Sequence, residues 1–171
     1  MNVLILGSGG REHCFAELIS KSKHCDKLFV APGNSGTSLM AQNLDFSPID
    51  FDLVKGAITK HNIQLVVVGP EDPLVSGIHD FIVSDPILKG VKVIGPKQQA
   101  AQLEGSKDFA KNFLNRHNIP TAKHQTFTTR QFEEACEYIE NNCPPYVLKA
   151  DGLAAGKGVL IIDNVNQAKD E

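Results

Sequence analysis

Four short apolar runs, each ended by a turn containing glycine or proline, constrain this chain more than any other feature. Residues 3–6 (VLIL) stop at Gly7, and residues 28–30 (LFV) stop before Pro32 and Gly33. Residues 65–68 (LVVV) stop at Gly69 and Pro70, and residues 91–94 (VKVI) at Gly95 and Pro96. Runs this short read as buried strands. Between them, apolar residues recur at helical spacing: Cys14, Phe15, Leu18 and Ile19, then Phe51, Val54 and Ile58, then Ile78, Phe81 and Ile82. Strands alternating with helices predict an α/β fold built on a doubly wound parallel sheet. Crossovers of this kind are right-handed, so the strands share a direction and the turns that follow them gather along one edge. That carboxyl edge is where open α/β sheets bind ligands, and here its turns carry Arg11, Asn34 and Glu71.

The pattern changes after Pro96. Residues 98–103 and 107–117 read as helices. Thr128 and Gln131 form a capping-box pattern ahead of the amphipathic series Phe132, Ala135, Cys136 and Ile139, which Pro144 and Pro145 end. Residues 146–150 and 159–162 are two strands joined by a glycine-rich turn, a hairpin in place of a crossover. The chain is therefore expected to divide into residues 1–103 and residues 104–171. Asn164 and Gln167 again resemble a helix start, but only a few residues follow them. So short a helix, beside a hairpin with no further sheet, is marginal alone. Residues 124–171 are thus expected to open a domain whose remainder lies outside these 171 residues.

A composition of 42% hydrophobic and 22% charged residues is that of an ordinary globular protein, with enough chain for a core without staples. A net charge of -3 supplies no general attraction to nucleic acid. No apolar run approaches the ~20 residues that span a bilayer, and the start lacks the basic region of a signal peptide. Cys14, Cys25, Cys136 and Cys143 form no C-x-x-C pair and have no histidine at zinc spacing. They read as reduced thiols of a cytoplasmic protein, with Cys14 and Cys136 on apolar helical faces.

Three segments have the composition of binding sites. Gly7-Ser8-Gly9-Gly10-Arg11-Glu12-His13 follows a strand and opens a helix, where N–H groups and the helix dipole favour an anion. Gly9, Gly10 and the bidentate donor Arg11 are suited to a phosphate. The dinucleotide fingerprint fails, because Glu12 stands where its third glycine belongs and the second strand ends in Ala31-Pro32, without an acidic residue for a ribose. Gly69-Pro70-Glu71-Asp72-Pro73 reads as a rigid acidic turn, in which Glu71 accepts from a substrate hydroxyl or amine or is merely solvated. The third segment, residues 148–158 (LKADGLAAGKG), invites comparison with a Walker A loop. It has three residues where that loop needs four, Gly158 in place of Ser or Thr, and a strand on each side. Such a hairpin still suits a flap over phosphates, with Lys149, Lys157 and the N–H groups near Gly152, Gly156 and Gly158 supplying attraction.

Six segments in register, GSGGREH (7–13), APGNSGT (31–37), VVGPEDPLV (67–75), AAQLEGSK (100–107), RHNIPTA (116–122) and LKADGLAAGKGV (148–159), closely resemble the phosphoribosylamine–glycine ligases of the ATP-grasp superfamily. Ser35 departs from the alanine common there, and Ser8 and Asp72 are variants. The resemblance implies a pre-ATP-grasp domain, followed by the start of an ATP-grasp domain with a β-hairpin flap. It implies an enzyme of purine synthesis that joins glycine to 5-phosphoribosylamine with ATP, through an acyl phosphate and without a protein nucleophile, so no catalytic residue is assigned. Carried over by motif, the phosphoribosylamine site comprises Gly9, Gly10, Arg11, Glu12, Gly33, Asn34 and Glu71. The ATP contacts comprise Lys107, Lys149, Gly152, Gly156, Lys157 and Gly158. The family's Mg2+ or Mn2+ ligands are expected beyond residue 171, with none in this chain. The expected partners are these small molecules, with no nucleic acid and no membrane, and these residues alone are expected to be inactive.

Overall fold

A computed structural model describes residues 1–154 and 156–171. The chain separates into two compact units, Met1–Gln102 and Leu103–Glu171.

The first unit is built on β1 (Asn2–Gly7), β2 (Lys27–Pro32), β3 (Gln42–Asn43), β4 (Ile63–Val68) and β5 (Lys92–Ile94). They form one parallel sheet in the order β3-β2-β1-β4-β5, with Leu6 opposite both Ala31 and Val68. The expected doubly wound sheet is present. Its centre, β1, buries Leu4, Ile5 and Leu6 completely because both faces are covered. Alternate residues supply the two halves of the core. Leu4, Leu6, Phe29, Val66 and Val68 pack with Val54, Ile58, Leu74, Ile78 and Ile82 on one face. Val3, Ile5, Leu28, Val30 and Val67 pack with Ala16 on the other.

The helices of this unit are α1 (Gly10–Ser20), α2 (Phe51–Lys60), α3 (Glu71–Val75) and α4 (Ile78–Ser84). Asp50 caps α2 by accepting from the Leu53 N–H at 3.1 Å, and Val54, Ala57 and Ile58 form its buried stripe. Helix α1 differs from the sequence expectation. Its inward stripe is Glu12, Phe15, Ala16 and Ile19, whereas Leu18 is 69% exposed and Cys14 is also exposed. Cys14 and Leu18 lie one turn apart on the opposite side, so counting them with the apolar face rotated the helix. The acidic segment at Glu71 and Asp72 is likewise the first turn of α3 and not a rigid turn. Strand β3 carries no apolar alternation and was not expected.

Helix α5 (Gln98–Gly105) spans the division, and α6 (Lys107–Arg116), α7 (Phe132–Glu140) and α8 (Val165–Asp170) follow it. Strands β6 (Tyr146–Lys149) and β7 (Val159–Ile162) pair antiparallel, with Lys149 opposite Val159, as the hairpin reading expected. Helix α8 buries Ala168, and Lys169 reaches Glu140 at 2.6 Å. The capping box before α7 is half formed: the Gln131 side chain accepts from the Thr128 N–H at 3.1 Å, whereas the Gln131 N–H goes to the Thr128 carbonyl. Thr128 bonds to the Gln131 side chain, and the helix begins only at Phe132, which is 59% exposed. No described helix is long and apolar enough to cross a membrane.

Candidate functional site

Three turns at the carboxyl ends of β1, β2 and β4 are joined to one another in the first unit. Between the turns after β1 and β4 lies Glu12, the third residue of α1, which is only 5% exposed. Its carboxylate accepts from the Gly9 N–H at 2.6 Å, satisfying a donor that the helix start would leave open. Three glycines make room for it. A methyl group at Gly69 would lie 2.1 Å from Glu12 Oε1, and one at Gly7 or Gly9 within 3.0 Å of the same side chain. Only residues without a Cβ allow β1, β4 and the start of α1 to close around this carboxylate.

Arg11 donates from Nη1 to the Gly69 carbonyl at 2.5 Å and is otherwise exposed. The turn after β1 is thus tied to the turn after β4 by the Arg11 bond, with Glu12 packed between them. Asn34 ties it to the turn after β2, donating from Nδ2 to the Ser8 carbonyl at 2.9 Å. Its Oδ1 accepts from the Gly36 and Thr37 N–H groups at 2.8 and 3.0 Å, an Asx-type turn. Thr37 is fully buried; its hydroxyl accepts from the Asn34 N–H and lies 2.8 Å from Asn43 Oδ1. Asn43 Nδ2 donates to the Asn34 carbonyl at 2.8 Å. Gly33 holds φ +73°, and a methyl group there would meet Asn43 Oδ1 at 2.4 Å.

The structure therefore brings Gly9, Gly10, Arg11, Glu12, Gly33 and Asn34 to one edge, with Glu71 exposed at the start of α3 after the third turn. It also divides them by task. The Gly9 N–H is taken by Glu12, and Asn34 Oδ1 by its own turn. The Arg11 guanidinium keeps donors that this bond does not use. Thr37 and Asn43 were missed by the sequence reading. The N-x-x-T spacing of Asn34 and Thr37 signals the first, whereas Asn43 is recognisable only once β3 is placed beside β2.

The second unit has its own junction. Ser106 caps α6, accepting from the Phe109 N–H at 3.1 Å. Its hydroxyl donates to Asp151, which also accepts from the Lys107 N–H at 2.6 Å and the Asp108 N–H at 3.3 Å. Desolvation alone would raise the Asp151 carboxyl. Hydrogen bonds from the Asp108 N–H, the Ser106 hydroxyl and the Gly152 and Lys107 N–H groups outweigh it and hold the group below its ordinary value. The side chain is thus anionic at neutral pH, at a helix start that favours an anion. Lys107 Nζ donates to the Gly152 carbonyl at 2.8 Å.

Beyond this junction the glycine-rich turn folds on itself. The Ala150 N–H meets the Gly158 carbonyl at 2.9 Å, and the Lys157 N–H meets the Ala154 carbonyl at 2.9 Å. Gly152 and Gly156 take φ +90° and +77°. Lys149 and Lys157 are exposed. The structure thus brings Lys107 and Gly152 into direct contact and carries Lys149 on the strand that leads into the turn. Ala155, within the expected flap, lies outside the described residues. No group of three or more metal-ligating side chains occurs among the described residues.

Comparison with known proteins agrees with this division. The model of the phosphoribosylglycinamide synthetase N domain matches residues 1–104, and that of the ATP-grasp (A) domain of the same synthetase matches residues 105–171. A phosphoribosylamine–glycine ligase of Haemophilus influenzae is 49% identical over 99% of the chain, and one of Pasteurella multocida is 46% identical over 99%. The chain spans 39% and 38% of those two relatives. The crystal structure of phosphoribosylamine–glycine ligase from Thermotoga maritima superposes with a TM-score of 0.76 at 34% identity, covering 99% of this chain and 38% of that one. Because the N-domain match alone takes in more than half of the sequence and the A-domain match takes up where it stops, the chain belongs to the phosphoribosylglycinamide synthetase family.

Proposed function

We propose that the chain is the N-terminal part of an ATP-dependent ligase that joins glycine to 5-phosphoribosylamine, giving glycinamide ribonucleotide, ADP and phosphate in the purine synthesis of the cytoplasm. Residues 1–103 take the phosphoribosylamine in this reading, and residues 104–171 begin the nucleotide site. A carboxylate is a poor electrophile, so glycine is activated by the terminal phosphate of ATP, and the ribosylamine nitrogen then displaces that phosphate. No protein nucleophile is needed. The protein's work is positioning and neutralisation of charge.

The observation that carries the reading is the joining of three sheet-edge turns, two of them packed around a buried carboxylate, in a chain of this family. Glu12 and Asn34 hold the turns together, and the Gly10 amide and the Arg11 guanidinium remain for the 5-phosphate. Gly33 allows the backbone to approach the ribose, and Glu71 accepts from its hydroxyls or from the amine. On the nucleotide side Lys107, Lys149 and Lys157 neutralise phosphates beneath the turn that contains Gly152, Gly156 and Gly158. The Mg2+ or Mn2+ that accompanies ATP is assigned no ligand among these residues. Because the chain spans 39% of its relative, binding without turnover is the expected behaviour of these 171 residues alone.

Calorimetry with ribose 5-phosphate tests the assignment. Saturable binding is expected, with Arg11→Ala weakening it about tenfold or more, the loss of a charge-assisted hydrogen bond. No binding, or an Arg11→Ala chain indistinguishable from the parent, removes the assigned role. Release of phosphate dependent on glycine and ribosylamine by this chain alone contradicts the expected inactivity.

A further inference from the structure

Asp151 belongs to none of the contacts proposed above, yet it is the most heavily bonded side chain among the described residues of the second unit. Its carboxylate accepts from the Ser106 hydroxyl and from two N–H groups of the first turn of α6, at 2.6 and 3.3 Å. The next residue is gripped from the same place, since the Lys107 ammonium donates to the Gly152 carbonyl. The chain then turns through Gly152 at φ +90°. One end of the glycine-rich turn is therefore fixed to α6 by two side chains that cross in opposite directions. Past that point its described hydrogen bonds join the turn to itself. Gly158 lies so close to Ala154 that a methyl group there would stand 2.7 Å from the Ala154 methyl.

We infer that Asp151 is a positioning residue of the nucleotide site. It sets where Gly152, the described residues of the turn after it and the Lys107 ammonium present themselves to a polyphosphate. The inference rests on the reading of the second unit as a nucleotide site. A carboxylate suits the task because every atom it meets on α6 is a donor, and a carboxylate accepts several such bonds at once. Asparagine has the same shape and keeps an oxygen for the two N–H groups, but it loses the negative charge that strengthens those bonds and turns its N–H2 group toward the Ser106 hydroxyl. A Lys107 ammonium that gives one hydrogen to Gly152 keeps two for a phosphate, at a place that Asp151 determines through the Lys107 N–H.

The test compares the full-length parent with Asp151→Asn and Asp151→Glu by amide hydrogen exchange and by affinity for a non-hydrolysable ATP analogue. Asp151→Asn is expected to accelerate exchange at residues 106–109 and 150–158 about tenfold, leaving residues 1–102 as in the parent. It is also expected to weaken nucleotide binding about tenfold, with Asp151→Glu recovering part of both losses. Exchange unchanged in Asp151→Asn overturns the anchor. Accelerated exchange with parental nucleotide affinity overturns the role in the site. A parent that binds no ATP analogue overturns the nucleotide reading and the role of Asp151 with it. The exchange data tell that failure apart from failure of the anchor.

Discussion

Glu12 has a structural task that the sequence does not reveal. In GSGGREH it stands beside Arg11 and suggests a ligand contact. In the structure it is buried, bonded to the Gly9 N–H and enclosed by Gly7, Gly9 and Gly69. A carboxylate is rarely buried unless its acceptors are satisfied. The glycines of this motif therefore serve the protein's own side chain as well as any phosphate. Gly69→Ala would put a methyl group 2.1 Å from Glu12 Oε1. It is expected to destabilise the chain by about 1–3 kcal/mol, as overpacking does, measured by urea unfolding. A Gly69→Ala chain as stable as the parent would mean that Glu12 is not held where the structure places it. Arg11 was legible as a candidate phosphate contact because its type and its place after a strand fit phosphate chemistry. Thr37, Asn43 and Asp151 were not, because their roles depend on partners brought together by the fold. Asp151 meets residues some 45 positions away in sequence.

The elements repeat this division. Strands β1, β2 and β4 were legible because both faces of a central parallel strand are covered, which leaves a continuous apolar run. Strand β3 has only two residues at the sheet edge, half-buried or exposed, and no pattern to detect. Helix α1 was found with Phe15 and Ile19 correctly inward but rotated so as to include Cys14 and Leu18, since a buried glutamate takes an apolar residue's place in its stripe. Helix α2 has both a clear stripe and a clear cap, which makes it the place to test helix energetics. Asp50→Ala removes the bond to the Leu53 N–H and is expected to cost about 1 kcal/mol. Gly56, in the same helix, is exposed, and a methyl group there would meet nothing within 4 Å. Gly56→Ala is therefore expected to stabilise by about 0.5–1 kcal/mol. Thermal unfolding of the two variants should move in opposite directions. Equal shifts would show that the stability of α2 comes from its buried stripe alone.

At the scale of the whole molecule, two units of different construction follow one another in a single chain. The change from crossovers to a hairpin was visible in the sequence. The cross-bonding of three turns in the first unit, and the grip of α6 on the glycine-rich turn in the second, were not. In the proposed function, the carboxyl edge of the first unit takes the phosphoribosyl substrate. Titration of ribose 5-phosphate into the isotopically labelled chain, followed through its amide resonances, tests this most directly. Saturable shifts are expected at Gly9, Gly10, Arg11, Gly33, Asn34 and Glu71, with residues 152–158 undisturbed. Shifts confined to the glycine-rich turn, or none at the three sheet-edge turns at saturating ligand, would contradict it.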